Sequence, residues 1–252
     1  MNQRDAVERF HLVFLRHFAT VISPGTICLK GEVNLRLYHN SPRLSEDIDF
    51  DARVVGVDIL KKNVNKVLAG RPLLTELAAV GITLSEIKPG KQAQTVQRWK
   101  FHVIHEGNPL PTRLEFSRRN DHPFESCVTE PPSLALLAGQ QVVPFVFNHY
   151  MPPAVYLQKI NALAARTQAQ ARDVFDLHHL SRYAAAGREA PPDLVIQAME
   201  QLNLIGFDRF KDQVVPFLPM DLAAYYGTPE AWKAMSEKVR NDLSAALPPA
   251  SS

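Results

Sequence analysis

The sequence has little cysteine: Cys28 and Cys127 are its two, far apart in 252 residues. Neither a zinc-type spacing nor a disulfide framework is visible, which suits a reducing cytoplasm. Long apolar runs are missing. The first residues form no continuous apolar segment of the signal-peptide kind, and no stretch approaches about 18 uninterrupted apolar residues, so neither export nor a membrane span is expected. A dominant charge is missing too, since 28 Lys and Arg stand against 26 Asp and Glu, for a net +2. That balance decides nothing about a nucleic-acid partner and leaves the question to local basic patches. No internal repeat is present. What remains is 46% hydrophobic, ample for the core of one large domain or two small ones.

The informative stretch runs from Thr26 to Asp51. Thr26-Ile27-Cys28-Leu29 is short, apolar and β-prone. Gly31 follows Lys30, where a strand can turn closely into a helix. Val33, Leu35, Leu37 and Tyr38 give that helix an apolar face over about two turns. Asn40-Ser41-Pro42-Arg43 ends it, because proline disfavours helix for the residue before it. Asp47-Ile48-Asp49-Phe50 then alternates as a strand does. Ile48 and Phe50 face a core, while Asp47 and Asp49 share the other face about 6–7 Å apart. Carboxylates held so raise each other's pKa. A divalent cation removes that cost and supplies a Lewis acid.

Further along, residues 3 to 20 read as an amphipathic helix beneath a sheet, with Val7, Phe10, Leu12, Phe14, Leu15 and Phe18 among charged residues. Val57 to Leu68 reads as a helix with Lys61, Lys62 and Lys66 on its solvated face, and a second helix spans Leu73 to Val80 and stops at Gly81. Residues 82 to 87 and 94 to 106 alternate as strands, split by a turn at Lys88-Pro89-Gly90-Lys91. Thr112 to Ser117 is another strand, with Glu115 on its polar face. Arg118 to Pro123 reads as a polar turn, residues 120 to 132 as loop, and a soft boundary falls between about 130 and 150. The division expected is 1–140, 141–243 and a frayed tail, 244–252. The second part is helical and alanine-rich. In it Lys159, Ala162 and Arg166 lie on one helical stripe, and Asp173 and Asp176 stand one helical step apart. Taken alone, these are two surface helices joined by salt bridges worth about 0.3–0.5 kcal/mol each.

Lys30, Gly31, Leu35, Arg36, Arg43, Ser45, Asp47, Asp49 and Phe50 together resemble the first motif of nucleotidyltransferases, and more closely that of the AbiEii/AbiGii-type toxins of type IV toxin–antitoxin systems. The Lys-x-x-Ala-x-x-x-Arg and Arg-Asp-x-x-Asp patterns at residues 159–166 and 172–176 are similar to later motifs of that family. Glu32 and Val33 depart from the pattern, where a small residue and a threonine are usual.

The resemblance implies an α+β fold: a polymerase-beta-like nucleotidyltransferase core, a small mixed sheet with flanking helices, followed by a helical C-terminal part. It implies metal-dependent transfer of a nucleotide from an NTP to an acceptor such as a tRNA 3′ end. Catalytic roles then fall to Asp47, Asp49, Lys159, Asp173 and Asp176. Nucleotide contacts fall to Lys30, Gly31, Arg36, Ser45, Lys159 and Arg166. Mg²⁺ or Mn²⁺ would be held by Asp47, Asp49 and a third carboxylate, Glu115. Lys159 is expected to serve the same cleft as the carboxylates. NTP, an RNA acceptor and a cognate antitoxin are the expected partners, and no membrane is. Two alternatives stand beside this. One is a catalytically inactive fold that works by binding a partner, favoured by Glu32 where the triphosphate should lie. The other is a phosphotransferase on the same scaffold. Ser45 reads either as a turn serine bonded to nearby backbone or as a site whose phosphorylation would close the metal site.

Overall fold

A computed structural model describes residues 3–119 and 126–249, the side chain of Pro89 excepted. The chain divides into two compact units. One holds the residues up to Asn40 and Leu44–Tyr150; the other holds Ser41–Arg43 and the residues from Met151 onward.

The first unit runs α1 (Gln3–Ala19), β1 (Ile27–Lys30), α2 (Gly31–Tyr38), β2 (Asp47–Ala52), α3 (Val57–Leu68), α4 (Arg71–Ala78), β3 (Ile82–Leu84), β4 (Lys88–Gln92), β5 (Val96–His105), β6 (Asn108–Ser117), β7 (Cys127–Glu130), α5 (Leu134–Gly139) and β8 (Phe147–Tyr150). Its strands form one mixed sheet in the order β3-β5-β6-β2-β1-β8-β7, with β4 also paired to β5. β2 is central, antiparallel to β1 and parallel to β6.

Period-two alternation sorts this sheet into an apolar and a polar face. Phe50 of β2, Phe101 of β5, Phe116 of β6 and Phe147 of β8 are buried. Phe10, Phe14 and Phe18 meet them from α1 at helical i, i+4 spacing. Phe18 lies 5.9 Å from Phe50 and 5.7 Å from Phe116, and Phe50 stacks on Phe116 at 4.5 Å. With Phe50 anchored inward, Asp47 and Asp49 must point to the other face.

Several expectations are corrected. The turn expected at Lys88–Lys91 is strand β4, with a register shift between Pro89 and Gln92. β4 lies on the outer side of β5, an edge position where a residue without an N–H is tolerated. β6 begins at Asn108, earlier than Thr112, because Glu106 and Gly107 (φ 51° and 77°) make a two-residue hairpin turn with His105 opposite Asn108. Cys127–Glu130, expected as loop, pairs with β8; residues 120–125 of that loop, and with them part of the polar turn, lie outside the described residues. The first unit extends to Tyr150 because β8 is a strand of its sheet. Helix Pro229–Ala246 continues into the first residues of the stretch 244–252.

Cys28 and Cys127 are joined in a disulfide, with Cα atoms 6.7 Å apart. This overturns their reading as separate thiols and removes the cysteine argument for a reducing compartment. A separation of 99 residues is uninformative until the sheet brings β1 and β7 together.

The second unit contains α6 (Pro152–Ala165), α7 (Ala171–His179), a 3-10 segment (Ser181–Glu189), α8 (Pro192–Asn203), α9 (Phe207–Gln213), a short 3-10 turn, α10 (Met220–Tyr226) and α11 (Pro229–Ala246). Its core includes Ile160, Leu163, Phe175, Leu177, Phe210 and Trp232. Among the described residues no helix is long and apolar enough to cross a membrane.

Because Phe18 joins the aromatic rings of β2, β6 and β8, Phe18→Ala should cost about 3–5 kcal/mol in urea unfolding followed by circular dichroism. A loss below about 1 kcal/mol would show that this cluster does not anchor β2.

Candidate active site

On the polar face of the sheet, charged side chains stand in two cross-strand rows. One contains Arg113 of β6 opposite Asp47 of β2; the other contains Arg98, Glu115, Asp49 and Lys30, from β5, β6, β2 and β1 in turn. Most of the carboxylates have a cation. Arg113 Nη2 lies 2.6 Å from Asp47 Oδ2, Arg98 Nε donates to Glu115 Oε2 at 2.7 Å, and Lys30 Nζ donates to Asp51 Oδ1 at 2.5 Å. Tyr150 Oη donates to the other oxygen of Asp51 at 2.9 Å.

Asp49 is the exception: among the described residues it has no hydrogen bond or ion pair. Burial pushes its pKa up, Glu115 and Asp47 push it further, and Arg113 and Lys30 oppose them only in part, so it stands at about 6. An ionised carboxylate without a partner, between two others, is where a cation gains most.

Gly31 explains how the chain comes so near to Asp49. Its φ is +71°, and a Cβ there would lie 3.0 Å from Asp49 Oδ2. Lys30 is paired to Asp49 across the ladder, and the turn into α2 places the helix start against that carboxylate. Glycine thus supplies both the left-handed backbone and the space. The N–H groups of the first turn of α2 offer an anion site. Glu32 stands in that same turn.

Among the described residues no three His, Cys, Asp or Glu side chains converge as a preformed metal cage. Mg²⁺ does not require one, since it commonly binds one or two carboxylates and completes its shell with substrate phosphate and water. Asp49 with Asp47 fits that pattern. Glu115 is opposite Asp49 in register, with its carboxylate engaged by Arg98.

Two expected nucleotide contacts are tied up locally. Arg36 Nε donates to Glu8 Oε1 at 2.5 Å, linking α2 to α1. Ser45 Oγ lies 2.9 Å from the Asp47 carbonyl, which fits the turn role, and 3.4 Å from Glu32 Oε2. Arg118, from the polar turn, donates to Gln97 Oε1.

The second unit brings Lys159, Arg166, Asp173 and Asp176 together, and of the four only Arg166 reaches the surface. Asp173 and Asp176 are 0% exposed and Lys159 is 6% exposed. Lys159 Nζ lies 2.7 Å from Asp176 Oδ2 and 3.4 Å from Asp173 Oδ1, and Arg166 Nε donates to Asp173 Oδ2 at 2.7 Å. Arg166 caps α6 instead of continuing it. Arg43 closes the set with a fork on Asp176, Nε donating to Oδ1 at 3.3 Å and Nη2 to Oδ2 at 2.8 Å. The result is three cations on two buried carboxylates. Arg43 was part of the first motif but was not expected here. Its signal was an arginine held at a proline turn, with no visible partner.

These features define a nucleotidyltransferase-type fold with an acidic strand pair beside a Gly-turned helix. The sequence profile of the nucleotidyl transferase AbiEii toxin, type IV TA system, matches residues 13–249, so the chain belongs to that family. JHP933 from Helicobacter pylori is similar in structure, with 19% identity, a TM-score of 0.58, and 97% of this chain and 95% of that one covered. MenT4, a nucleotidyltransferase toxin from Mycobacterium tuberculosis H37Rv, is similar with 14% identity, a TM-score of 0.60 and the same coverage. No curated protein matches the chain in sequence.

Asp49 has its folded pKa raised from 3.8 to about 6. Between those values the unfolded chain has released the proton and the folded protein still holds it, so stability falls as pH rises from 3.8 towards 6 and levels above. Asp49→Asn should therefore melt a few degrees above the parent at pH 7, with the gap closing towards pH 4 in metal-free buffer. An equal or lower melting temperature at pH 7 would mean that Asp49 is not under electrostatic stress. Gly31→Ala should lower the melting temperature at both pH values, since its methyl needs space that Asp49 occupies.

Proposed function

We propose that the chain transfers a nucleotide from an NTP to a hydroxyl of an RNA acceptor, such as a tRNA 3′ end, with Mg²⁺ or Mn²⁺ held by Asp47 and Asp49. The observation that carries this reading is the partnerless carboxylate of Asp49 between Asp47 and Glu115, against the Gly31 turn. When bound there, the cation supplies charge compensation to phosphate oxygens. The hydroxyl oxygen forms the new bond to the α-phosphorus, the bond towards the β-phosphate breaks, pyrophosphate leaves and the hydroxyl proton is released. Little covalent chemistry is asked of the protein, so its task is alignment and charge.

The chain's own residues divide that work. Asp47 and Asp49 would hold the cation beside the reacting phosphate. The backbone N–H groups after Gly31 donate to phosphate oxygens, and Lys30 adds positive charge nearby. Arg166, the partly exposed member of the second unit's charged set, is the residue we assign to the triphosphate's charge, with Lys159, Asp173 and Asp176 acting as positioning residues. Arg43 joins them, because its fork fixes Asp176. A cognate antitoxin is the partner that a type IV system provides. Glu32 favours one other reading, a catalytically silent binding protein, since an acid in the first turn of α2 opposes an incoming phosphate. A phosphotransferase would transfer the γ-phosphate instead.

Incubation with each α-labelled NTP, Mg²⁺ and total RNA tests all three. Label should enter RNA with release of pyrophosphate, and Asp49→Ala should reduce it to background while remaining folded. Release of nucleoside diphosphate would establish the phosphotransferase, and no incorporation from any NTP would favour the binding protein. Lys159→Met should lower incorporation and also destabilise, by up to about 3–5 kcal/mol, because it takes one of two cations from each of two buried carboxylates. Arg43→Lys, which keeps charge but loses the fork, should lower activity with a smaller loss of stability.

A further inference from the structure

The row that ends at Asp47 continues across the sheet. Arg113 of β6 is opposite Lys100 of β5, and Lys100 is opposite Lys88 of β4. Three cations thus stand side by side on three neighbouring strands, followed by Asp47. Like charges directly opposite each other are destabilising. Arg113 is compensated by Asp47. Lys88 and Lys100 are exposed, and among the described residues neither forms an ion pair. The same residues line a cavity of about 520 Å³, together with His102 and Pro111 and with the carboxylates Glu46, Asp47 and Glu86. His102 and Pro111 are opposite each other in register, one step along from Lys100 and Arg113.

The position of this row matters as much as its charge. In the sheet, β2 lies between β1 and β6. The Gly31 turn is on the β1 side of Asp47 and Asp49; the cation row is on the β6 side. A triphosphate held at the Gly31 turn therefore leaves the row to a second anionic ligand. From β2 to β4 the row crosses three strand spacings, about 14 Å. That is too long for one phosphate and suits the backbone of a short single strand. His102 beside Pro111 offers a ring and a flat apolar surface for a base.

We propose that Lys88, Lys100 and Arg113 form a track for the phosphate backbone of a single-stranded RNA acceptor, leading its terminal hydroxyl to Asp47 and Asp49. This rests on the transfer reading, but its test does not require transfer. The full chain and the double variant Lys88→Ala/Lys100→Ala are titrated against a short fluorescein-labelled single-stranded RNA by anisotropy at several salt concentrations. The variant should bind about tenfold more weakly, and its salt slope should fall by about 1.4, the worth of two single-strand phosphate contacts. Its affinity for ATP should stay within about twofold of the parent, and its melting temperature should hold or rise, as removal of opposed like charges requires. Lys88→Arg/Lys100→Arg should keep RNA binding. RNA affinity unchanged in the alanine variant would overturn the track. An equal loss for ATP and RNA would also overturn it, by assigning the row to the triphosphate. If RNA binding falls as expected while no NTP is ever incorporated, the track stands and the transfer reading fails.

Discussion

The constraint on which the first unit depends is that one strand must serve two faces. Phe50 and Ile48 of β2 are held in the core, and the strand's alternation then forces Asp47 and Asp49 together on the other face. Parallel pairing to β6 adds Glu115, and antiparallel pairing to β1 adds Lys30. Neighbouring cations engage Asp47, Asp51 and Glu115 and leave Asp49 to its desolvation and its neighbours. The aromatic core of α1 and the sheet is what makes so unfavourable an arrangement sustainable. Carboxylates whose pKa is strongly perturbed by burial and by one another cluster at functional sites.

The second unit handles charge in the opposite way. There each buried carboxylate has two cationic partners: Lys159 and Arg166 for Asp173, Arg43 and Lys159 for Asp176. Such a set adds little to stability compared with an apolar core of the same volume, yet loss of one member is expensive. Its effect is to fix the direction of Lys159 and to leave one net positive charge on a rigid frame. Arg43 does this from a three-residue turn that belongs to the second unit, although its neighbours in sequence belong to the first.

Much of this was legible in the sequence where a local rule decides the outcome. The α1 stripe, the Gly31 turn, the α2 face and the Asp-x-Asp alternation each follow from spacing within a few residues, and the family resemblance follows from the same residues. Features set by long-range pairing were not legible. Pro89 and Gly90 read as a turn because their tolerance in an edge strand depends on β5 being alongside. The Cys28–Cys127 bond, the β7–β8 ladder and the Arg43–Asp176 pair join residues 99, 17–23 and 133 positions apart. The burial of Asp173 and Asp176 was hidden for a related reason. A charged helical step reads as surface unless the cations that cover it are known.

The central claim is that Asp49 is left without a partner so that a divalent cation can take the place. Its most direct measurement is Mn²⁺ binding at neutral pH, by electron paramagnetic resonance or calorimetry, to the parent and to Asp49→Asn. The parent should show a site that raises its melting temperature when filled, and Asp49→Asn should have lost that site while remaining folded. Equal Mn²⁺ affinity in the two proteins, or no binding to the parent with or without NTP, would contradict the account.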